Sequence, residues 1–156
     1  MAALVRREQL QALSQDHHNA LVIALRCRRV ADGRMEVDGE EFRATVLEFF
    51  QLQIAPHFDV EERFVLPALR ALGEREMAER IAGEHDRLRA MIDGRMVTDS
   101  DLRAFGQLLD DHIRYEERVV FEETQHRISD DVLAEILRAS LEVPQICPTT
   151  FKKLPR

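Results

Sequence analysis

Two short segments of this chain repeat one chemical pattern: HFDVEER at residues 57–63 and HIRYEER at residues 112–118. Each places a histidine four residues ahead of a glutamate, pairing His57 with Glu61 and His112 with Glu116. On an α-helix, residues four apart share a face, with Cβ atoms about 6 Å from each other. Each segment can therefore aim an imidazole nitrogen and a carboxylate oxygen at one small volume. That donor combination suits a metal ion, and two copies suit either two ions or one shared site.

The elements that must carry these side chains are helical. Strong helix formers dominate, glycines number 6 and prolines 5 in 156 residues, and no period-2 strand pattern is evident. A first helical pattern covers residues 4–31, with Leu10, Leu13, His17, Leu21 and Ala24 on one stripe and Gly33 placed to end it. A second covers residues 40–72 and carries Gln53, His57, Glu61 and Phe64. Pro56 is expected to kink it, and Pro67 to break it after the motif. A third, residues 74–92, presents Met77, Ile81, His85, Leu88 and Ile92. A fourth starts from Asp99 or Ser100 as N-cap, ends near Gln125, and presents Leu102, Phe105, Leu109, His112, Glu116 and Val119. Ser129 or Asp130 starts a short fifth helix. Four amphipathic helices on short loops point to an all-α, antiparallel up-down four-helix bundle, with a short extra C-terminal helix and a tail. The domain is expected to cover residues 1–142 and the tail residues 143–156.

In such a bundle His17, His57, His85 and His112 fall at a common level, one per helix. A single histidine on an apolar face is usually a hydrogen-bonded core residue. Four of them with two carboxylates would cost several kcal/mol to bury without a compensating charge, and a cation supplies it. Their neighbours read more plainly. Glu62, Glu117, Arg63 and Arg118 are expected on a solvated face, Tyr115 between helices, and most phenylalanines in the core, where some also limit water access. Glu123 and His126 form one isolated Glu-x-x-His near a helix end, taken as chance.

The ordered set, a single His, then His-x3-Glu, then a single His, then His-x3-Glu, resembles the hemerythrin-like (HHE cation-binding) domain. QDHHNAL, HFDVEERFVLPAL and HIRYEERVVF carry the likeness, which covers roughly residues 10–125. The resemblance implies a non-haem di-iron centre in a four-helix bundle. Glu61 and Glu116 would bridge the ions, one of which would take His17 and His57 and the other His85 and His112. His17 is favoured over its neighbour His18 because it shares the apolar stripe. Oxygen-carrying members have a second histidine four residues from that of the third helix. Here those positions hold Ile81 and Arg89, which leaves six protein ligands and puts reversible oxygen carriage in doubt.

Spacing alone also admits Zn or Mn, and the resemblance selects iron as two ions. The implied partner is dioxygen, nitric oxide or peroxide, bound or sensed, or else the protein handles iron. A di-iron enzyme of peroxide or nitric-oxide detoxification and a metal-free helical interaction module are the alternatives. The net charge of −7 argues against nucleic acid or an anionic membrane, and no apolar run is long enough to span a bilayer. Two distant cysteines, Cys27 and Cys147, argue against a disulfide framework, and a cytoplasmic location is expected.

Overall fold

The computed structural model describes residues 5–146, and these contain helices and no strand. A 3-10 turn, Glu8–Leu10, leads into α1, Gln11–Ala31. Gly33, at φ +69°, follows it, and Gly33 and Arg34 return N–H bonds to Val30 and Arg29. The left-handed glycine thus closes the exposed carbonyls of α1 as its position suggests. α2 runs over residues 39–71, α3 over Arg75–Asp93, α4 over residues 99–124, and α5 over Asp130–Ser140. Ser129 caps α5 by accepting from the Val132 N–H. No helix among the described residues is long and apolar enough to cross a membrane.

Two expectations about helix ends and breaks fail, each for a local reason. The cap of α4 is Thr98, one residue earlier than expected. Its hydroxyl accepts the Asp101 N–H at 3.1 Å while the Asp101 carboxylate accepts the Thr98 N–H at 3.0 Å. This reciprocal capping box satisfies two otherwise orphaned donors, which neither Asp99 nor Ser100 would do. Second, the prolines do not interrupt α2. Its backbone widens into a π-turn at Phe50–Ile54 and again at Glu61–Val65, just ahead of Pro56 and Pro67. The widened turns close on i→i−5 bonds, Ala55 to Phe50 and Leu66 to Glu61. They displace the carbonyls that a proline ring strikes in a regular α-helix. Yet α4 carries a third π-turn, Glu116–Val120, with no proline after it. The last two begin at the motif glutamates, and π-turns of this kind occur often at functional sites.

Cross-helix contacts set the directions. Against α1, Arg103 meets Asp32, Arg28 meets Asp110, and Glu117 meets His17, so α4 runs antiparallel to it. α2 and α3 pair Glu62 with His85 and Asp59 with Arg89; α3 and α4 pair Glu84 with His112 and Arg80 with Tyr115. Both pairs are also antiparallel. The apolar core is divided in two. One half contains Ala20, Phe58, Leu88 and Ile113; the other contains Leu13, Val65, Ile81 and Val120. On the four long helices the division falls beside a histidine or glutamate: at His17 between 13 and 20 on α1, between 58 and 60, flanked by His57 and Glu61, on α2, at His85 between 81 and 88 on α3, and at Glu116 between 113 and 120 on α4. A polar layer therefore crosses the bundle between two apolar plugs.

Beyond α5 the chain stays on the bundle as far as it is described. Val143 is buried in the second half of the core, and Ile146 packs against the first. Cys27 is buried and unbonded; Cys147 and the rest of the expected tail lie outside the described residues.

At Gly106 α4 packs tightly on α1, since a Cβ there would sit 2.8 Å from the Ala24 carbonyl oxygen and 2.9 Å from the Cys27 Cβ. Gly106→Ala is expected to lower unfolding free energy by about 1–3 kcal/mol, as overpacking does. Gly83→Ala, on an exposed face of α3 with nothing within 4 Å of the added carbon, should instead raise it by about 0.5–1 kcal/mol. Urea denaturation of both variants checks the pair.

Candidate metal centre

The polar layer consists of His17, His57, Glu61, His85, His112 and Glu116, each at most 4 % exposed. They form two groups of four, His17–His57–Glu61–Glu116 and Glu61–His85–His112–Glu116, with the candidate donor atoms of each group within 4.8 Å of one another. The glutamates belong to both. Glu61 Oε1 lies 2.9 Å from His57 Nε2 while its Oε2 lies 3.1 Å from His85 Nε2. Glu116 Oε2 lies 2.9 Å from His17 Nε2 while its Oε1 lies 3.2 Å from His112 Nε2. Each carboxylate thus presents one oxygen to each group. His18 is exposed and belongs to neither. Ile81 is buried in the core, and Arg89 turns outward to Glu62 and Asp59, so neither adds a donor.

The inward nitrogen of every histidine is Nε2 because the other, Nδ1, is held by a carboxylate. His17 Nδ1 contacts Glu117 at 2.7 Å, His57 Nδ1 contacts Asp16 at 2.9 Å, His85 Nδ1 contacts Glu62 at 2.9 Å, and His112 Nδ1 contacts Glu84 at 2.8 Å. These four bonds make a closed circuit: α1 holds the histidine of α2, α2 that of α3, α3 that of α4, and α4 that of α1. An Nδ1–H donating to a carboxylate leaves Nε2 as a lone pair and fixes the ring plane, the usual arrangement behind a metal-binding imidazole. The expectation that Glu62 and Glu117 lie on a solvated face is therefore wrong. They sit at the helix seams, partly buried, where a carboxylate can reach the next helix's imidazole. Arg63 and Arg118 are exposed as expected. The four carboxylates are themselves held: Glu117 by Arg6 and Ser14, Glu62 by Arg89, Glu84 by Arg80, and Asp16 by the Gln145 amide at 2.6 Å.

Spacing does not reveal Asp16, Glu62, Glu84 and Glu117, the carboxylates that hold the four Nδ1 atoms. A signal was present, since each adjoins a candidate ligand in sequence: Asp16 and His17, Glu61 and Glu62, Glu84 and His85, Glu116 and Glu117. Around this frame Phe58 stacks on His85 with centroids 3.7 Å apart, and Phe121 lies parallel to His17 at 5.9 Å. Arg80 covers the ring of Tyr115, and Glu123 and His126 are both exposed, away from the layer.

The electrostatics show what the layer lacks. Burial alone would strip His17, His57 and His112 of their protons. The facing carboxylates outweigh it, so Glu61 and Asp16 lift His57 to about 9, and Glu116 and Glu84 lift His112 to about 10. Against its own burial, His17 also rises well above the ordinary histidine range on Glu116 and Glu117. Glu61, despite burial that favours the neutral acid, is held well below the usual carboxylate range by His57 and His17. The cluster thus demands positive charge at its centre. Although they lie close to one another, Glu61 Oε2, Glu116 Oε2, His85 Nε2 and His112 Nε2 are buried without a partner in hydrogen-bonding geometry among the described residues. Such orphans cost about 1–3 kcal/mol each, and cations between the two groups would satisfy all four. The donor set, imidazole nitrogen with carboxylate oxygen, fits iron, manganese or zinc.

The model of the family named Hemerythrin HHE cation binding domain matches residues 9–124, a span that includes the whole polar layer. The chain belongs to that family. No curated protein and no solved structure matches it. Hemerythrin HHE domains bind metal cations, and this member presents two His–Glu groups compatible with that role.

In the cation-free domain protons occupy imidazoles that a metal would need, so metal uptake near pH 7 should release protons, measurable with a pH indicator in weak buffer. Apparent affinity should rise with pH as the solution approaches the raised values of about 9 for His57 and about 10 for His112. An affinity independent of pH would contradict this charge balance. Glu84→Gln, which weakens the support of His112, should lower metal affinity about 10–100-fold in competition with a chelator.

Proposed function

We propose that this hemerythrin-like domain holds two iron ions through His17, His57, Glu61, His85, His112 and Glu116, and uses them to bind or sense dioxygen, nitric oxide or peroxide. The two-group geometry supports two ions, with His17 and His57 on one, His85 and His112 on the other, and both glutamates shared. Each ion would receive two imidazoles and two carboxylate oxygens, which leaves coordination positions for a small ligand. An iron pair supplies electrons and open positions at which such a ligand can be held.

The observation that carries the small-ligand reading is a cavity against this layer. It is lined by His17, His57 and His112 together with Ala20, Phe58 and Leu109, and holds about 10 Å³. That is room for about one water-sized molecule. Its walls are mainly apolar, so they favour a diatomic or a peroxide over a larger polar substrate. Phe58 on the cavity wall and the two apolar plugs keep bulk water from the layer.

Reconstitution with ferrous iron without oxygen should load about two ions per chain, the number the paired groups accommodate. Dioxygen, nitric oxide or azide should then change the visible absorption. Protein that stays metal-free under these conditions, or iron-loaded protein whose spectrum no small ligand alters, would refute the reading. Iron should also raise the melting temperature, because a ligand bound only by the native state adds stability: about 2.7 kcal/mol at a hundred times its dissociation constant. A chelator should reverse that gain.

A further inference from the structure

Gln53 lies on α2, four residues before His57, and is 1 % exposed. The backbone N–H of Ile146 donates to its Oε1 at 3.0 Å. A backbone N–H can only donate, so this contact determines which end of the amide is oxygen. The other end, Nε2, is buried with no hydrogen-bond partner among the described residues. Gln53 also lines the cavity beside His17, His57 and His112. Among the lining side chains other than the three histidines, only Asp16 and Gln53 are polar. Asp16 has both oxygens engaged, one by His57 and one by Gln145. Gln53 therefore lines a cavity with room for about one water-sized molecule and carries an unspent donor at its buried Nε2. Buried donors of this kind are rare in native structures and call for an acceptor.

We propose that Gln53 is a specificity residue for the small ligand: its Nε2 donates a hydrogen bond to an acceptor atom of the molecule seated in the cavity, and the segment after α5 holds the amide in that orientation. The inference rests on the small-ligand reading of the centre and names the group that recognises the ligand. It favours ligands with a basic terminal atom, such as peroxide, azide or reduced dioxygen, over carbon monoxide, a far weaker acceptor. It also accounts for the ordering of residues 143–146 on the bundle. Gln145 and Ile146 bond to the two polar side chains that line the cavity beside the histidines, Asp16 and Gln53, so this segment positions both.

The test uses the full iron-loaded chain, with azide as the probe. In the unmodified protein the azide stretching band should shift when H2O is replaced by D2O, as expected for an azide that accepts a hydrogen bond from an exchangeable N–H. Gln53→Met keeps the length and apolar bulk of the side chain without the donor. It should load iron to the same level, abolish the isotope shift, and weaken azide binding about ten-fold, the scale of one lost hydrogen bond to an anion. In the metal-free chain the same variant should speed exchange of the Ile146 amide proton, which has lost its acceptor. Unmodified protein that takes up azide with no isotope shift overturns the Gln53 assignment alone, whether or not the variant folds. A variant that binds azide as tightly, with the shift intact, does the same. Iron-loaded protein that takes up no azide overturns the small-ligand reading itself, and the Gln53 role with it.

Discussion

The structure depends on keeping charge inside an apolar bundle. Four imidazoles and two carboxylates occupy one level of the core, between two hydrophobic clusters. Dispersed singly through that core, each would carry a desolvation penalty with little to offset it. Brought together, they face one another closely enough for the carboxylates to stabilise positive charge on His17, His57 and His112, and a cation fits the same field. The apolar plugs on either side keep the local dielectric low, which strengthens every interaction in the layer.

The circuit of Nδ1–carboxylate bonds is the second constraint. It makes each helix responsible for the histidine ring of the next, so no histidine can be correctly oriented unless its neighbouring helix is in register. Binding geometry and bundle assembly therefore become one problem. Three of the four supporting carboxylates, Glu62, Glu84 and Glu117, are braced by arginines, which offset their charge. Asp16 is braced by the neutral amide of Gln145 instead. That leaves more negative charge behind His57 than behind the other three rings, on the side where the cavity lies. The two halves of the centre have matching donor sets but unequal surroundings.

The widened turns at Glu61 and Glu116 show local backbone serving the same end. A regular α-helix puts consecutive residues about 100° apart. In both motifs, consecutive glutamates must serve different parts of the centre: Glu61 faces inward while Glu62 reaches the ring of His85, and Glu116 faces inward while Glu117 reaches the ring of His17. A π-turn at that point alters the angular spacing of the residues that follow without ending the helix. In α2 it also accommodates Pro67.

Much of this was legible in the chain itself. Apolar periodicity marks the helices, because a helix in a globular domain must bury one stripe. The spacing of His57 with Glu61 and His112 with Glu116 marks the inward face for the same reason: four residues is one turn. Local chemistry likewise marks Gly33 and Ser129 as helix ends. What spacing could not supply was which side chains meet across helices. Glu62 and Glu117 look like surface residues on their own helices and become buried-edge partners only when the next helix arrives. Pro56 looks like a kink and Pro67 like a break until the backbone widens ahead of them. The cavity exists only where α1, α2 and α4 enclose a common space, and the amide of Gln53 is held only when the segment after α5 reaches it. Periodicity is a property of one helix, whereas hydrogen-bond partners and empty volume belong to several at once, so only the tertiary structure decides them.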